Sequence, residues 1–171
     1  MNTVSVSFGG GSSFCFGHNT TQERSKMSGG FNFVTVSVHF FLAASNVLGF
    51  FALLKAWNKD NKTGFVLIGC TMVASVLMHI SETKHELDPG MAWRPWSEAC
   101  LNLDRICALL AFLYFGLRWL VLPDLSLEYP AWMFIAGLAA ILGEAAHVLP
   151  LYIACHTFWH VTVYWCMHAL V

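Results

Sequence analysis

Charge is scarce in this sequence. Of its 171 residues, 11% are Asp, Glu, Lys or Arg, where a soluble domain carries about 25%. That supply cannot clothe an apolar core, which argues against an ordinary soluble globule. Neither sign is in excess. The formal net charge is −1, so nothing electrostatic points to nucleic acid or an acidic partner. The six cysteines, at 15, 70, 100, 107, 155 and 166, form no C-x-x-C pair. Neither a zinc ribbon nor a disulfide framework is indicated, and most of them read as small apolar residues within helices. There is no internal repeat. The start of the chain lacks a basic segment followed by an apolar run, so it is a poor signal peptide.

What is abundant is apolar surface: 57% of residues are hydrophobic and 15% aromatic. The reading is an integral membrane protein, all-α, a polytopic transmembrane bundle of about five spans. A bilayer core asks for about 20 mostly apolar residues per helix. Suitable segments run from about 33 to 57, from about 64 into the low 80s, from about 98 to 122, from about 130 to 149, and from Pro150 onward. A tight turn around Pro150 joins the last two. Residues 1–30 are rich in Gly and Ser and read as a disordered tail, leaving 31–171 as the bundle. Asn19-Thr20-Thr21 and Asn61-Lys62-Thr63 match glycosylation acceptors, a motif common by chance.

Alternating passage through the bilayer sorts the polar residues. The end of the second span, the start of the third, the end of the fourth and the start of the fifth share one side with the N-terminus. That side collects Ser75, His79, Asp104, Glu144, His147, His156 and His160, joined by His39 early in the first span. The opposite leaflet has mainly Lys55 and Arg118, which can snorkel from helix ends. An ionisable group inside a membrane costs about 2.5–3.5 kcal/mol on insertion scales, so such groups face the bundle interior and act there. A proton or ion relay needs polar residues across both leaflets, and the second lacks them. Lys and Arg are evenly distributed between the two sides, so orientation is open.

His156-Thr157-Phe158-Trp159-His160 is an H-x-x-x-H that places two imidazoles on one helix face, as a metal site needs. The plainer alternative is two packing histidines bonded to neighbouring carbonyls. A third ligand must come from another helix. The stretch "SVLMHISETKH" offers two serine–histidine pairs, Ser75 with His79 and Ser81 with His85. His156 and His160 lie about 9 and 15 Å into their helix, and Asp104 about 8 Å into its own. His79 matches that depth. His85 falls at or beyond a helix end and becomes the ligand if the second helix continues farther. Glu144 and His147 lie near the interface, where polarity costs little. His39 either supports the site or packs between helices, and His18 and His168 have no evident partner.

S-x-x-x-H ending one span, Asp opening the next and H-x-x-x-H in the last resemble, in that order, the CREST superfamily of membrane hydrolases. That group includes the alkaline ceramidases, the adiponectin and progestin receptors and the myomaker-like branch. "HTFWH" is especially similar to the last-helix motif of the myomaker-like branch, and "LDRICAL" to the receptors' Leu-Asp segment. The resemblance covers Ser75 to His160 and implies a zinc ion on His79, His156 and His160, with water in the fourth position. Zinc with three nitrogen ligands lowers the pKa of water to about 7. Asp104 would orient that water, and Ser75 would support the site or a developing oxyanion. The implied reaction is hydrolysis of a lipid amide or ester reached from the bilayer, with membrane lipids as partners. A non-catalytic receptor or membrane-remodelling protein with structural zinc is the alternative. The family usually has seven spans. This chain has five by the count above, with one helix rather than three between the Asp helix and the last.

Overall fold

The computed structural model describes residues 33–83, 94–122 and 127–171. The stretch 1–30, His18 and His85 lie outside the described residues. Among the described residues all regular structure is helical, with no strand. Helix α1 spans Phe33–Asn58, interrupted by a 3-10 turn at Asn46–Leu48. Then follow α2, Lys62–Ser81, a 3-10 turn at Arg94–Trp96 leading into α3, Ser97–Val121, α4, Glu128–Ala145, and α5, Leu149–Leu170.

Three segments, Phe33–Asn58, Lys62–Ser81 and Arg94–Val121, are long and apolar enough to cross a membrane. α4 and α5 fall short of that measure. α4 carries Glu128 and Glu144 at its ends, and α5 carries His156, His160 and His168. The expected turn around Pro150 lies slightly earlier. His147 adopts a left-handed backbone with φ 53°, a conformation that terminates α4 at Ala145. Pro150 instead sits in the first turn of α5, where its missing N–H costs nothing.

Local chemistry sets the other ends. Asn61 caps α2, its Oδ1 accepting from the Gly64 amide at 3.0 Å and from the Tyr114 hydroxyl at 2.6 Å. The end of α2 is closed from α1: His39 Nδ1 donates to the His79 carbonyl, one of the carbonyls a helix leaves unpaired in its last turn. Lys55 and Arg118, able to snorkel from helix ends, cap the end of α5. Lys55 Nζ donates to the His168 carbonyl at 2.6 Å, and Arg118 Nε to the Leu170 carbonyl at 2.9 Å. Cations there also complement the negative end of the helix dipole.

α2 packs along α3 and α4 along α5, while α1 joins the two pairs by lying against both α2 and α5. α3 barely touches α5, and it meets α4 through Arg105 and Glu144, 3.5 Å apart. Tight packing depends on small residues on α1. Ala52 and Ala56 are fully buried, and a Cβ on Gly49 would come within 2.7 Å of the Tyr164 ring. Such close approach supplies the dispersion contacts that hold helices together when the surroundings are as apolar as the side chains. The outer surface fits that setting: Leu109, Leu113, Leu117 and Leu120 of α3 and Phe134, Leu138 and Ile141 of α4 are all exposed.

Candidate metal centre

The bundle brings His79, His156 and His160 together. One ring nitrogen from each lies within 4.8 Å of the others. The ring centroids are 4.7 Å apart for His79 and His156, 5.2 Å for His79 and His160, and 4.8 Å for His156 and His160. His79 comes from the last turn of α2, His156 and His160 from successive turns of α5. His79 is completely buried, and neither of its ring nitrogens has a hydrogen-bond partner. Buried polar groups are usually paired; among the described residues His39 Nε2, Asn61 Nδ2 and Thr157 Oγ1 also lack a hydrogen bond, but of these residues only His79 sits among two further imidazoles, which suits a group that binds a cation. The donor set of three imidazoles fits zinc, and equally copper, iron or nickel.

The tautomer of His160 follows from its neighbours. The Ser45 hydroxyl donates its one proton to the Leu42 carbonyl at 2.6 Å. It must therefore accept from His160 Nδ1, 2.5 Å away. That leaves Nε2 with its lone pair, and Ser75 Oγ stands 3.2 Å from it as a donor. The 3-10 turn in α1 begins directly after Ser45, and back-bonding by such a serine competes with the regular helix. Asn46 in that turn is buried and accepts from the Tyr164 hydroxyl at 2.6 Å.

Asp104 does not belong to the histidine group. It lines, with Ser75, His160 and Tyr164, a cavity of about 20 Å³, enough for about one water molecule. Met133, Trp159 and Val163 close its apolar side. Adjacent Arg105 turns away to Glu144 on α4, so Glu144 makes an interhelical pair. Ser81 donates to the Leu77 and Met78 carbonyls of its own helix and takes no part in the cluster.

Three further polar residues beside the histidines acquire their contacts to the cluster in the fold: Ser45, Glu82 and Tyr152. Tyr152, His156, His160 and Tyr164 recur every four residues, a stripe visible in the sequence as Y-x-x-x-H-x-x-x-H-x-x-x-Y. Glu82 follows His79 by three positions. Ser45 gives no such signal beyond being polar in an apolar run. The chain matches no family model, no curated protein and no solved structure.

Proposed function

We propose that the chain is a five-pass integral membrane protein whose three histidines bind zinc, and that it hydrolyses a lipid amide or ester in the manner of the CREST superfamily. The observation carrying this reading is the buried His79, with no hydrogen bond on either ring nitrogen, grouped with His156 and His160 beside a water-sized cavity lined by Asp104, Ser75 and His160. Zinc held there would acidify water to a pKa of about 7 and polarise a carbonyl. Asp104 supplies a carboxylate to orient water and take its proton. Ser75, whose hydroxyl faces His160 Nε2, is free to donate elsewhere once that nitrogen is a ligand. Crossing by α5 would hold His156 and His160 toward the bundle interior, where their polarity is sheltered from lipid.

The small size of the cavity favours a second reading, a non-catalytic protein with structural zinc. Metal analysis of purified wild type beside His79→Ala and His85→Ala tests the site. One zinc per chain is expected in wild type and His85→Ala, and none in His79→Ala. Absence of zinc from wild type sinks the metal reading. Turnover of ceramides and phospholipids, with Asp104→Ala as control, then separates enzyme from structural site.

A further inference from the structure

Glu82 lies one residue past the end of α2, at a position where the chain turns to extended backbone with φ −66° and ψ 134°. A carboxylate there would ordinarily face water, yet Glu82 is 5% exposed. Burying a charge is costly unless other groups hold it. Both carboxylate oxygens lie 2.7 Å from the Tyr152 hydroxyl, which donates to them. Oε2 is also 3.5 Å from His79 Nδ1, an ion-pair separation rather than a formed hydrogen bond. The Tyr152 ring, in turn, is 5.2 Å from the ring of His156. Glu82 thus touches the histidine cluster from α2 directly and from α5 through Tyr152.

Two physical arguments give this residue a task. Metal-bound histidines usually donate their second N–H to a carboxylate or carbonyl, which fixes the tautomer and raises ligand basicity. Ser45 has that position at His160; Glu82 has it at His79, and a proton on Nδ1 there leaves Nε2 for the metal. The second argument is charge. Three neutral imidazoles leave a divalent cation uncompensated in a low-dielectric interior. Glu82, beside His79, supplies one formal negative charge toward that cation.

Resting on the metal reading above, we infer that Glu82 is a positioning residue of the centre: it holds His79 through Nδ1 and neutralises part of the metal's charge, with Tyr152 clamping its carboxylate. The test uses full-length protein with Glu82→Gln, Glu82→Ala, Tyr152→Phe and, as a neighbouring control, Thr83→Ala. Zinc affinity is read by competition with a chromophoric chelator, and the ligand field by the d–d spectrum after loading with cobalt(II). Loss of the carboxylate should weaken zinc about 10- to 100-fold and shift the cobalt spectrum. Tyr152→Phe should weaken zinc several-fold, and Thr83→Ala should match wild type. Glu82→Gln keeps the size of the side chain and an acceptor for Tyr152, so it decides the matter if Glu82→Ala does not fold. Wild-type zinc affinity with an unchanged cobalt spectrum in Glu82→Gln overturns the role while leaving the metal reading intact. A wild-type protein that takes up no zinc overturns both.

Discussion

The hydroxyl of Ser45 on α1 is 2.5 Å from Nδ1 of His160 on α5, and its own proton is committed to Leu42. One serine thereby selects which nitrogen of a proposed ligand faces the cluster. Ser45→Ala removes that selection without touching the histidine. Zinc affinity should fall about tenfold, the lower end for partners that orient a ligand. Chelator competition measures it, and an unchanged affinity means His160 needs no such partner.

The proposed function gives Asp104 and the three histidines separable tasks. Asp104 lines the water-sized cavity and is not in the histidine group. Asp104→Asn should keep its zinc and lose lipid hydrolysis by about 10²- to 10⁴-fold, the range for loss of a positioned acid or base. Zinc content and turnover are measured on one preparation. Loss of metal along with activity would place Asp104 among the groups that bind the ion.

A metal shared by α2 and α5 should also stabilise the bundle. With free zinc at 100 times Kd, the gain is about 2.7 kcal/mol. Thermal unfolding in detergent should shift upward with zinc and return to the apo value with chelator. The same titration on His79→Ala should be flat. A wild-type curve indifferent to zinc argues against a specific site.

Two glycines give opposite expectations. At Gly143 on α4, an added Cβ would stand 2.6 Å from the Cys155 Cβ and 3.4 Å from the Leu151 carbonyl. Gly143→Ala should push α4 off α5 and cost about 1–3 kcal/mol. Nothing lies within 4 Å of a Cβ at Gly116 on α3. Gly116→Ala should be stabilising by about 1 kcal/mol from helix propensity alone. Melting temperatures of the two variants, compared side by side, check both signs.

The helical class and the five helices were legible because apolar segments about 20 residues long have few other solutions. Helix ends were read within a few residues, except where His147 takes a left-handed turn that residue type does not announce. The gathering of His79, His156 and His160 was legible from depth, since each lies within about three turns of the end of its helix. Lys55 and Arg118 were read as able to snorkel from helix ends, but the carbonyls they cap at the end of α5 were not legible, because composition does not reveal which helix end lies nearby. Ser45, Glu82 and Tyr152 escaped for a similar reason. Their significance is a contact between distant segments, and one chain read along its length carries no signal of which helices become neighbours.

The division of the cluster between α2 and α5 has a consequence for biogenesis. His79 is synthesised with α2, whereas His156 and His160 arrive only with α5. N-terminal segments of a nascent chain take up structure first. Until α5 docks, His79 and Glu82 face each other without the groups that α5 brings, His156, His160 and Tyr152. On the metal reading, capture of the ion would therefore be a late event in maturation, and a chain stalled before α5 would lack two of its three proposed ligands.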